Sequence, residues 1–209
     1  MKNGYGKMAT SIDKTKKIND TQLKKTQFDI ETLLTAGVIS DELNYERAMI
    51  ADRQLRLLAK EDVHYKAKRK ALRTLIEKYE RKHWSDEQAL DESKLVISGN
   101  AVKHAEVERV FIQKRKEEIR KKLKSLQLTQ NDLGILLGHK SKTHLSELMN
   151  GLATFTLRDL VIIHRLLDIP LNKLIPVSLS HADQTRINAN VIQLKKSNLK
   201  LKKQGLVRI

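Results

Sequence analysis

Within residues 128–157 the chain carries three helix-start signals and two helix-stop signals, and that spacing constrains its fold more than any other feature. Thr129 is followed three residues later by Asp132, and Thr156 by Asp159. In each case a hydroxyl can accept from a backbone N–H in the first turn while the carboxylate reaches back to the capping residue's own amide. Ser141 is a third N-cap, and Gly138 and Gly151 stand where a left-handed residue ends a helix. The enclosed segments, 130–137 and 142–150, have room for only two or three turns. Their apolar positions are Leu133, Leu136 and Leu137, then Leu145, Leu148 and Met149. Two short capped helices around a tight turn form the bihelical unit of DNA readers, although a plain helical hairpin in a core has the same outline. The flanks favour the first reading. A helix opened by Thr156 carries Leu157, Leu160, Val161, Ile163, Leu166 and Leu167, and Pro170 sits near the first turn of a last short helix ending at Leu174 and Ile175.

The remainder also reads as helical. Two prolines and 4% aromatic residues, with abundant Lys, Leu, Glu and Ala, point to an all-α chain. Residues 1–20 are polar and basic and are expected to form a loose arm, lacking the apolar stretch of a secretory signal. A helical N-terminal region is expected over 21–100, serving dimerisation or partner binding. It would contain one helix ending at Gly37, a second capped by Ser40, and a third over 62–83 with Ala71, Leu72, Leu75, Ile76 and Tyr79 on one stripe. Ser85 with Gln88 has the form of a capping box for a short helix. Residues 96–100 (Val-Ile-Ser-Gly-Asn) read as a break, and a long helix is expected from 102 to 126. The helix-turn-helix domain then occupies 101–176, and a short helix over 183–194 and a basic tail fill 177–209.

Charge narrows the partner. The net charge is +16, a surplus that points to a polyanion, of which nucleic acid is the commonest. Lys114, Arg115, Lys116, Arg120, Lys121, Lys122 and Lys124 make the second half of the long helix strongly basic. The tail carries Lys195, Lys196, Lys200, Lys202, Lys203 and Arg208 without an acid, either as a solvated segment or as an arm gripping the DNA backbone.

Within the bihelical unit the N-terminal residues of the second helix are the ones placed to reach base edges. If Leu145 and Leu148 face the core, the opposite face is polar: Lys142, Thr143, His144, Ser146 and Glu147. Lys142 can donate to guanine, Thr143 can bond a base or touch a thymine methyl, and His144 can donate from a ring nitrogen. Thr129 and Gln130 open the preceding helix, whose amides suit a phosphate. Lys140, Asn150 and the cap Ser141 complete the candidate DNA-binding set.

The run Leu128-Thr129-Gln130, Leu133-Gly134, Leu137-Gly138, Leu145-Ser146-Glu147-Leu148-Met149-Asn150-Gly151, Thr156-Leu157 and Leu166-Leu167-Asp168-Ile169-Pro170 resembles the Cro/lambda-repressor-type (XRE) domain. More narrowly, it is similar to HigA-type antitoxins, in which Ser-Glu, two apolar residues and Asn-Gly end the recognition helix. Residues 72–84 also look like the segment preceding that domain, so the resemblance spans roughly 43–176. It departs in a connection from Gly138 to Leu145 one residue longer than usual and in Gly134 where alanine is common. The resemblance implies a five-helix lambda-repressor-like module acting as a homodimer on an inverted repeat in its own promoter. It further implies neutralisation of a small RNA-cleaving toxin of RelE/HigB type, in a bacterial cytoplasm. A transcriptional regulator of the same family without a toxin is the alternative.

Other chemistry finds no foothold in the sequence. There is no cysteine, hence no thiolate ligand or nucleophile. Seven histidines share no ligand motif, so no metal or cofactor is expected. No phosphate-binding glycine loop or hydrolase signature occurs, and an enzyme is not expected. No apolar run approaches a membrane span.

Overall fold

The computed structural model describes residues 28–84, 92–195 and 198–201. Among them the chain forms nine helices and no strand: α1 (Ile30–Ala36), α2 (Glu42–Leu58), α3 (His64–Trp84), α4 (Glu92–Ser125), α5 (Gln130–Leu137), α6 (Lys142–Asn150), α7 (Leu157–Leu167), α8 (Leu171–Leu174) and α9 (His181–Gln193). The all-α expectation therefore holds. No helix among the described residues is long and apolar enough to cross a membrane.

Local chemistry sets the helix ends. Asp29 caps α1 by accepting from the Thr32 amide at 2.9 Å, and Gly37 ends it at φ +68°. Asp41, not Ser40, caps α2: its carboxylate takes the Asn44 amide at 2.8 Å, while the Ser40 hydroxyl donates to that same carboxylate. A carboxylate outcompetes a neighbouring hydroxyl because its bonds to backbone amides are charge-assisted. The capping box expected at Ser85 and Gln88 lies outside the described residues.

The break expected at residues 96–100 is absent; α4 is one helix of 34 residues running through it, about 51 Å long at 1.5 Å per residue. One interior glycine costs only about 1 kcal/mol. Tertiary packing offsets that, because the small Ala101 and Ala105 are buried one turn apart. Arg47 of α2 closes a bidentate pair on Glu108 of α4 at 2.6 and 2.5 Å.

Two cores result. In the first, Ala48, Ala51 and Leu55 of α2 meet Leu72, Leu75, Ile76 and Tyr79 of α3, with Ile30 and Leu33 of α1 closing one end. Hydroxyl–carboxylate bonds cross it, Tyr45 to Glu80 and Tyr79 to Glu42, both at 2.9 Å. The second core gathers Ile119 and Leu123 of α4, Leu133 and Leu137 of α5, Leu145, Leu148 and Met149 of α6, and Leu160, Ile163 and Leu167 of α7. The helix α4 supplies Ile119 and Leu123 to the second core and packs along α2 of the first. Leu152, just past α6, is buried in the first core rather than the second, and its carbonyl accepts from the Ile30 amide at 2.9 Å. The two cores are therefore joined at the end of α6.

Candidate nucleic-acid interface

The two helices α5 and α6 are held by the caps the sequence advertises. The Thr129 hydroxyl accepts from the Asp132 amide at 3.2 Å, and the Asp132 carboxylate accepts from the Thr129 amide at 2.8 Å. The Thr129 amide and hydroxyl keep the Asp132 carboxyl below its ordinary range. Gly138 ends α5 at φ +82°, and Ser141 opens α6 by accepting from the His144 amide at 3.1 Å. Gly134 allows the helices to approach: a Cβ there would lie 3.1 Å from Leu145 Cδ2. Thr156 and Asp159 repeat the reciprocal cap at the start of α7.

This frame exposes Thr129 and, around the turn, Lys140, Ser141, Lys142 and His144. Gln130, Thr143 and Asn150 are half-buried. A cluster of two lysines and a histidine at the N-terminus of a helix is suited to phosphate and base-edge contacts. Two histidines here have acidic neighbours, one from α7 and one from the next turn of α6 itself. His139 Nε2 lies 3.3 Å from Asp159, and His144 Nδ1 lies 3.8 Å from Glu147, with the two imidazoles edge to face at 5.3 Å. Among the described residues no group of three potential ligands is placed to hold a metal ion.

Glu147 departs from the polar outer face assigned to it: the residue is only 4% exposed. Lys68 of α3 reaches it with Nζ 2.5 Å from Oε1 and also pairs with Glu31 of α1 at 2.5 Å. His64 Nε2 stands 3.9 Å from the same Glu147 oxygen. Burial works against the Lys68 charge, but the bonds to Glu147 and Glu31 prevail and hold the ammonium above its ordinary pKa. Alongside, the Tyr65 hydroxyl donates to the Thr143 carbonyl at 3.3 Å, and burial raises that hydroxyl's pKa. Asn150 accepts from Lys116 Nζ at 2.6 Å and donates to the Ser146 carbonyl at 2.7 Å.

Lys68, Tyr65 and Glu31 were not singled out from the sequence. The signal available was the stripe of α3 carried two turns further back. Tyr65, Lys68, Leu72, Leu75, Ile76 and Tyr79 share one face at helical spacing, so Lys68 occupies a core-facing position inside a run that otherwise reads as solvated base. Arg115, counted with the basic half of the long helix, is likewise buried at 5% exposure. It lies between the rings of Phe111 and Phe155 at 5.8 and 5.2 Å, and desolvation pushes its pKa down to about 10. Compared with protein-family models, with curated proteins and with solved structures, the chain matches none.

Proposed function

We propose that the chain is a sequence-specific DNA-binding regulator in which α4–α8 act as a five-helix, lambda-repressor-like module and α6 is the recognition helix. The observation that carries this reading is the exposed cluster Lys140, Lys142 and His144 at the start of a short helix fixed by caps at both ends. Fixed caps matter because base readout requires side chains held in register, and the first turn of such a helix is the part that meets base edges. The +16 net charge supplies the sequence-independent attraction that precedes readout.

Selection of duplexes from a random pool by the full-length chain tests the reading. The Lys142→Ala/Thr143→Ala pair is expected to lose more affinity for the enriched duplex than for random DNA, and equal losses on both would refute base reading.

The resemblance to HigA-type antitoxins supports a narrower version, in which the homodimer represses its own promoter at an inverted repeat and the N-terminal helices cover a small RelE/HigB-like ribonuclease. Leu157 and Val161, apolar and exposed one turn apart on α7, are candidates for the dimer contact. A regulator without a toxin is the second reading. It is favoured by the contact of α3 with α6, braced by Glu31 of α1, which gives the N-terminal helices a role inside the chain itself. Capture of a stoichiometric small basic protein by the tagged chain in its host, lost on deleting residues 1–100, distinguishes the antitoxin from the plain regulator.

A further inference from the structure

We propose that α3, braced through Lys68 by Glu31 of α1, holds the chain in a closed state that cannot read DNA, by covering the groove-facing side of α6, with Lys68 as the latch. The inference rests on α6 being the recognition helix. On a helix each residue turns 100°, so with Leu145, Leu148 and Met149 in the core the opposite direction is occupied by Thr143, Glu147 and Asn150. Those are the positions that would point into the groove. α3 meets two of them: Tyr65 donates to the Thr143 backbone carbonyl, and Lys68 pairs with the buried Glu147, while Asn150 is held by Lys116 of α4.

Size makes this covering exclusive. The major groove is about 12 Å wide and an α-helix with its side chains is about 10–12 Å across, so the groove admits one helix, not two side by side. With the first two turns of α3 on the outer face of α6, Glu147 is buried, Thr143, Ser146 and Asn150 are half-buried, and the edge carrying Lys142 and His144 is left exposed. The chemistry of the contact suits a seam that opens. Beside Leu152 and the buried Tyr65 ring it carries the ion pairs of Lys68 with Glu147 and Glu31 and the Tyr65 hydroxyl bond, whose charged partners regain water on separation. Leu152 and the Ile30–Leu152 backbone bond stay as the apolar joint between the two cores. The Lys68 side chain, 8% exposed between two carboxylates, is the group whose loss does most to the seam, because it leaves Glu147 buried without its cation.

The absence of cysteine allows a direct test in the full-length chain. The Lys68→Cys/Glu147→Cys variant, bridged by a short bis-maleimide, fixes the closed state, and the unbridged variant and Lys68→Met release it. The probe is the duplex that Lys68→Met enriches from a random-sequence pool, with circular dichroism confirming that each form is folded. Lys68→Met is expected to bind it at least about tenfold more tightly than wild type, within the usual range for coupled equilibria, and the bridge is expected to abolish the binding that the unbridged variant shows. Equal binding by bridged, unbridged and wild-type chains would overturn the mask and leave the DNA reading standing. Failure of every folded form to enrich or bind any duplex would overturn the DNA reading and the mask with it.

Discussion

A side chain at Gly151 would collide with Ile112: a Cβ built there lies 2.7 Å from Ile112 Cδ1 and 2.9 Å from Cγ2, and the residue sits at φ +73°. The helix α6 thus ends against α4 at a contact where any side chain would force Ile112 to shift. Three glycines of the region separate the effects. Gly138→Ala, at φ +82° with nothing within 4 Å, is expected to cost only the left-handed strain, about 1–2 kcal/mol. Gly151→Ala adds overpacking of about 1–3 kcal/mol to the same strain. Gly134→Ala, inside a helix, gains about 1 kcal/mol of helix propensity against a contact of 3.1 Å with the movable Leu145 side chain, so it is expected to be nearly neutral. Urea midpoints of the three variants check this order, and a Gly151→Ala cost no larger than that of Gly138→Ala would refute the collision.

Arg47 and Glu108 fasten the first core to the long helix, with side chains 10% and 16% exposed. Breaking one partner leaves a desolvated charge, so Arg47→Met is expected to cost about 3–5 kcal/mol, and adding Glu108→Leu to recover much of the loss. Burial alone would raise the Glu108 carboxyl. The bonds from His104, at 3.2 Å, and Arg47 overcome that and lower it. A carboxyl whose folded pKa is depressed contributes stability above its unfolded value, and that contribution fades as pH falls through the folded value. The stability gap between wild type and Glu108→Gln is therefore expected to be full at neutral pH and to close below the ordinary carboxylate value of 4.5. Thermal melts across that range measure it, and a gap independent of pH would exclude the ionised pair as its source.

The module from Leu128 onward was legible in the sequence because its signals are local: each cap needs two residues three apart, and each stop needs one glycine. Thr129 with Asp132, Ser141, Thr156 with Asp159, Gly138 and Gly151 all take the positions they announce. The continuity of α4 through Gly99 was not legible, since it depends on Ala101 and Ala105 lying buried, which no neighbour in sequence reports. Glu147 was misplaced for the same reason. Helical periodicity correctly turns it away from Leu145 and Leu148, but periodicity cannot tell water from a lysine 79 residues away. Arg115 reads as one of seven surface cations until the rings of Phe111 and Phe155 and the Leu174 carbonyl, at 3.4 Å, are seen around it.

That burial separates Arg115 from the cations that the proposed DNA contact would use. Among the described residues no carboxylate pairs with it, and it donates a long hydrogen bond to the Leu174 carbonyl. A buried charge so placed contributes through packing against the rings more than through its charge. Arg115→Met, which keeps much of the volume and removes the charge, is expected to leave stability unchanged or to raise it. Arg115→Ala, which opens a cavity between the two rings, is expected to cost about 2–4 kcal/mol. DNA binding supplies the second readout. Each phosphate contact removed lowers the slope of log affinity against log salt by about 1. Lys140→Ala, at the exposed turn before α6, is expected to show that loss, whereas Arg115→Met is expected to leave the slope unchanged. A lowered slope for Arg115→Met in a folded chain would return Arg115 to the DNA-facing surface and refute its place in the core.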